Sequence, residues 1–150
     1  MRKIASFEVD HNKLLPGLYI SRADGDVVTY DLRLKKPNAN DYLDPAATHT
    51  LEHLIATYVR NSEFANNIIY FGPMGCRTGF YLLVREISNE SVIDLVQKSM
   101  QFCKDFDGEV PGVSAVECGN YLEHNLSLAK DYARKYFRIV ENYSVDCLKY

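Results

Sequence analysis

His49, Glu52 and His53 fall within one turn of an otherwise apolar segment, ATHTLEHLIATYV at 46–58. Residues i and i+4 of a helix lie one above the other, so the two imidazoles can reach one metal ion. Glu52, three positions after His49, lies on nearly the same face. H-x-x-E-H is the inverted zincin order, two ligands and a carboxylate placed to move protons. Two histidines of a partly buried helix making ordinary hydrogen bonds satisfy the same spacing, and five residues do not decide between the two.

A metal needs a third ligand, and Asp, Glu, His and Cys all qualify. Cys118, in VECGNYLEH at 116–124, has the best context: a glycine-containing turn just ahead of an expected helix. A free cysteine also serves as a small buried hydrophobe. His124 reads as a helix-face residue rather than a ligand. Cys76 sits in a second glycine-rich turn, GPMGCRTG at 72–79, where a thiol is accessible and Arg77 beside it is expected to lower its pKa. A thiolate there acts as base or nucleophile; otherwise Cys76 is a turn residue with no task. Cys103 and Cys147 read as structural.

Two histidines and one cysteine leave a metal with an open position, which marks a catalytic rather than a structural site. Two separate acid/base groups beside a Lewis acid suit proton transfers next to a carbonyl.

Asp44 is the expected N-cap, and Pro45 the first residue, of the helix that carries the histidines to about Arg60. VVTYDLRLK at 27–35 alternates as a half-buried strand, with Val28, Tyr30, Leu32 and Leu34 on one face and Val27, Thr29, Asp31, Arg33 and Lys35 on the other. NIIYFGP and GFYLLVREI read as strands flanking the Cys76 loop. Ser88 caps a second helix through about Phe106. Asn120 with Glu123 resembles a capping pair opening a third helix to about Arg138, with Leu122, Leu126, Ala129 and Ala133 on one side. Strands and helices mix without regular βαβ alternation. The expected class is α+β, a single domain with an antiparallel sheet and helices packed on one face. Its apolar strands make dimerisation a fair expectation.

The 150 residues suit one domain able to bury a core without disulfides. A net charge of −3 leaves no electrostatic footprint for nucleic acid. No apolar run reaches membrane-spanning length and no signal-like segment opens the chain, so no membrane partner is expected and the expected compartment is the cytoplasm. Four widely spaced cysteines are there expected as thiols or ligands.

The blocks SFEVDHN at 6–12, YDLRLKKPN at 30–38, HTLEHL at 49–54, PMGCRTGFY at 73–81 and ECGNYLEH at 117–124 resemble the S-ribosylhomocysteine lyase family (S-ribosylhomocysteinase, the autoinducer-2 synthesis protein), in order and near its spacing. The resemblance implies one catalytic domain over residues 1–150. It implies metal ligands at His49, His53 and Cys118, a catalytic cysteine at Cys76 and a second acid/base at Glu52. It also implies that Arg33 borders the cysteine and substrate, and that Ser6 and His11 line the substrate pocket. Fe(II) is implied as the native metal, one per subunit, with Zn(II) or Co(II) as substitutes, in a homodimer with active sites at the interface. The stretch after Gly17 and residues 61–69 look shorter than in many members.

The implied reaction splits S-ribosylhomocysteine into homocysteine and 4,5-dihydroxy-2,3-pentanedione, the autoinducer-2 precursor. Proton shifts through enediolates carry the sugar carbonyl from C1 to C3, which places the C5 sulfur β to it and permits elimination. Two rivals differ in what they ask of Cys76. A metallopeptidase gives it no task. A Cys2His2 structural zinc site uses it as the fourth ligand.

Overall fold

The computed structural model describes residues 2–150. It is an α+β domain: four antiparallel strands, β1 (Gly17–Asp24), β2 (Val27–Arg33), β3 (Ile68–Pro73) and β4 (Gly79–Arg85), in the order β1-β2-β4-β3. Helices α1 (Pro45–Arg60), α2 (Asn89–Asp105) and α3 (Leu126–Val140) complete it. α1 packs on β3 and on both other helices, and α2 packs on α3.

One face of the sheet makes the core. Tyr30 pairs with Leu82 and Leu32 with Phe80, and all four are buried beneath the helices with Leu18, Phe71 and Val84. Fully burying a side chain of this kind contributes about 1.5–3 kcal/mol. The strand β1, not expected from its own residues, is held by its pairing with β2 across a tight turn at Gly25–Asp26. Gly25 has φ +62°, the positive angle a glycine supplies at the first position of a II′ hairpin turn.

The other face departs from the expected alternation. Asp31 and Arg33 lie opposite the core, yet both are buried. Tyr150 stacks on Tyr19, its ring centroid 5.0 Å away, and donates a 2.7 Å hydrogen bond to Asp31 Oδ2, closing this end of the sheet from water. β2 stops at Arg33 rather than Lys35, because the amides of Leu34 and Lys35 both turn to Thr78 O.

α1 starts as expected, with Asp44 accepting from the Ala47 amide and Pro45 following. Ser88 likewise caps α2 by accepting from the Ser91 amide. The third helix does not begin at Asn120. Its cap is Asn125, which accepts from the Leu128 amide. Asn120 and Glu123 do bond each other side chain to side chain, but within a turn, and Leu122, expected on the buried side, is 80% exposed.

Candidate metal centre and active site

α1 divides its residues sharply. Ala47, Leu51, Leu54, Ile55 and Val59 are buried in the core, while His49, Glu52 and His53 share the half-buried edge facing the segments 110–112 and 117–124. The helix thus anchors through one stripe and presents its titratable groups from another.

Backbone carbonyls set the imidazole tautomers. His49 Nδ1 donates to Glu123 O at 2.8 Å and His53 Nδ1 to Pro111 O at 2.7 Å. A carbonyl only accepts, so each Nδ1 carries the proton and each Nε2 presents a bare lone pair, the usual outer-partner arrangement of metal-binding histidines. Gly112 permits this approach. Its φ is +74°, and a Cβ there would sit 3.2 Å from His53 Nδ1.

Cys118 Sγ lies 3.4 Å from His49 Nε2 and accepts from the Asn120 amide at 3.4 Å. Donors held about 2.0–2.3 Å from one ion lie roughly 3.5 Å apart, so this pair fits a shared metal.

His124, read from the sequence as a helix-face residue, precedes α3 and joins the group. One nitrogen or sulfur from each of His49, His53, Cys118 and His124 lies within 4.8 Å of all the others. Thr50 Oγ1 donates to Ala46 O and accepts from the Asn125 amide, so the proton between Thr50 and His124 Nδ1, 3.1 Å apart, belongs to His124. His124 Nε2 is then bare as well, and it is buried without a partner. Burial, then the neighbouring His49 and His53, lowers the His124 pKa. Three bare imidazole nitrogens and one thiol form a group able to hold a metal ion such as zinc, iron or cobalt.

Cys76 is not part of that group. Its Sγ lies 3.0 Å from Thr78 Oγ1 and 4.0 Å from Arg33 Nη1, which removes the fourth ligand from the Cys2His2 reading. The neighbouring guanidinium is Arg33, not Arg77. Arg77 has φ +57° and reaches over the Tyr42 ring, 5.6 Å from its centroid. Arg33 is fixed by Asp31, through Nε to Oδ1 at 3.1 Å and Nη2 to Oδ2 at 2.5 Å, and Nη1 donates to Thr78 at 2.7 Å. Burial opposes the Arg33 charge, but Asp31, together with Cys76 and Tyr150, outweighs it and its pKa is raised.

Cys76 opens on a cavity of about 520 Å³ that Ser6, His11, Arg33 and Tyr81 also line. Of the residues singled out from the sequence, Ser6, His11, Arg33 and Cys76 therefore meet in one place, and His49, Glu52, His53 and Cys118 in another. The wall of Pro73, Met74 and Gly75 is common to the Cys76 cavity and to a cleft lined by His49 and Glu52.

The family model for S-ribosylhomocysteinase (LuxS) matches residues 4–146. The chain belongs to the S-ribosylhomocysteinase family. It is 47% identical to the S-ribosylhomocysteine lyase of Finegoldia magna over 155 residues, covering 100% of this chain and 99% of that one. The S-ribosylhomocysteine lyases of Clostridium acetobutylicum and Borreliella burgdorferi are each 46% identical over 156 residues, with the same coverage. Membership makes the chain an enzyme of the carbon–sulfur lyase class. Sequence reasoning missed the His124 approach, the Thr50 bridge, and the Asp31 and Thr78 support of Arg33. Only the Asp31–Arg33 pair carried a readable signal, since opposite charges two apart on a strand share a face. Among the described residues no helix is long and apolar enough to cross a membrane.

Proposed function

We propose that this chain, as one catalytic domain, cleaves S-ribosylhomocysteine to homocysteine and 4,5-dihydroxy-2,3-pentanedione with a metal held by His49, His53 and Cys118. The observation that carries the reading is the convergence of two carbonyl-locked histidines and Cys118 on the edge of α1 that also bears Glu52. Fe(II) is the native metal, with Zn(II) or Co(II) as substitutes. Bound there, it supplies Lewis acidity toward the oxygens of the open-chain sugar.

Cys76 and Glu52 move the protons. Taking the C2 proton and returning one to C1 shifts the carbonyl from C1 to C2. Taking the C3 proton and returning one to C2 shifts it to C3. Loss of the C4 proton then expels the homocysteine thiolate from C5, and the enol left behind takes a proton at C5 to become the dione. Arg33 keeps positive charge beside Cys76, with Nη1 4.0 Å from its sulfur. Ser6 and His11 hold the substrate from the N-terminal side of the same cavity.

The enzyme works as a cytoplasmic homodimer with active sites at the interface. What supports the dimer is the division of the site residues between separate cavities, and the exposure of Phe7 in the lining of the Cys76 cavity. Sedimentation at about twice the 17.2 kDa chain mass tests the dimer. Trapping the dione from anaerobic Fe(II)-loaded protein tests the reaction. Homocysteine without the dione contradicts the carbonyl shifts.

A further inference from the structure

The His124 ring faces that of His49, with centroids 4.2 Å apart and planes 21° apart. An imidazole nitrogen binds an ion along its lone pair, in the plane of its ring. Near-parallel facing rings hold those planes apart, so an ion on His49 Nε2 lies outside the His124 plane. His49 and His53 meet at 87°, so their planes cross and one ion could lie in both. His53 and His124 also cross, at 70°, so it is the facing of His49 and His124 that would leave His124 beside an ion bound to His49. The His124 Nε2 is nevertheless bare, buried, unpartnered and within 4.8 Å of the other donors. Leaving a buried acceptor unbonded is costly, so a donor belongs there.

We propose that His124 Nε2 accepts a hydrogen bond from the hydroxyl oxygen, of water or of the open-chain sugar, that fills the position left beside His49, His53 and Cys118. This rests on the metal reading above. A bare nitrogen offers nothing to a carbonyl oxygen, so His124 is a positioning residue that turns a substrate hydroxyl toward itself and the adjacent carbonyl away. Thr50 belongs to the same device, because its hydroxyl accepts a hydrogen bond from His124 Nδ1–H and thereby keeps Nε2 bare.

The test uses Co(II) alone as probe on the full chain, then S-ribosylhomocysteine turnover per bound Co(II). In His124→Ala, Co(II) affinity and the visible absorption bands are expected to stay within about threefold of wild type, while kcat/KM falls about 10–100-fold. His124→Gln, whose Oε1 accepts a hydrogen bond, restores part of that loss. Thr50→Val, which keeps the shape of α1, reproduces it in milder form. Co(II) affinity reduced tenfold or more with altered bands (about 1.4 kcal/mol) makes His124 a ligand and overturns the proposal. Unchanged kcat/KM in all three variants overturns it too. Wild-type protein that takes up no Co(II) overturns the metal reading itself, and this inference with it.

Discussion

Arg33 reaches Cys76 with the guanidinium that Asp31 holds: Nη1 lies 4.0 Å from Sγ while Nε and Nη2 bond both Asp31 oxygens. The cation beside the thiol is thus fixed by a buried carboxylate and not free to swing.

Arg33→Lys keeps a charge but loses the fork that bonds Asp31 and Thr78 together. Iodoacetamide alkylation of Cys76 at fixed pH is expected to slow relative to wild type, and kcat/KM to fall roughly 10–100-fold. An unchanged alkylation rate contradicts a role for Arg33 at the thiol. Asp31→Ala is expected to be worse for stability, by about 3–5 kcal/mol, because it leaves a buried cation unpaired.

Gly112→Ala tests how tightly the metal edge is built. The added Cβ meets His53 Nδ1 at 3.2 Å, on a backbone with φ +74°. Metal affinity, measured by chelator competition, is expected to drop roughly tenfold as His53 is pushed off the Pro111 carbonyl. The melting temperature should fall as well, since a positive φ strains any side chain but glycine's.

Alkaline pH should destabilise the fold. Burial pushes the Cys103 thiol from 9.0 up to about 12. Burial, then the Asp31 charge, also raises the Tyr136 and Tyr150 phenols. Where the unfolded chain has lost these protons the folded chain keeps them, so unfolding free energy falls as pH rises. The contribution of Cys103 is whole below about pH 9 and is lost up to about pH 12. Urea midpoints should decline across that window, and less steeply in Cys103→Ala. A flat midpoint contradicts the assignment.

Metal removal separates the two halves of the site. Chelation should abolish turnover yet leave Cys76 open to iodoacetamide, because the thiol leans on Thr78 and Arg33 rather than on the histidine group. Protection of Cys76 by added Zn(II) in the absence of substrate would place it on the metal and revive the structural-zinc reading.

Where the instructions are local, the sequence was readable. Asp44, Pro45 and the apolar spacing from Leu51 to Val59 sit in one segment, and α1 follows them from Pro45 to Arg60. Ser88 marks α2 in the same way. β1 was missed because its place depends on pairing with β2, although Gly25–Asp26 carried a hairpin signal. Asn120 and Glu123 misled for a physical reason: the pair has the residue types and spacing of a cap but bonds side chain to side chain, closing a turn that presents Cys118 and leads into His124. Asp31 is covered in part by Tyr150, 119 residues further on, and Arg33 bonds Thr78 on another strand's loop, so no window on β2 reports their burial. His49, His53 and Cys118 were legible as a set of donors. The substrate was legible only through resemblance.

The most direct measurement is release of free thiol from S-ribosylhomocysteine by anaerobic Fe(II)- or Co(II)-loaded protein, with Cys76→Ala and His53→Ala beside it. Release by wild type that is lost in both variants is the expected result. Absence of release from fully metallated, folded wild-type protein, or undiminished release by Cys76→Ala, contradicts a single active site built from the α1 metal edge and the Cys76 loop.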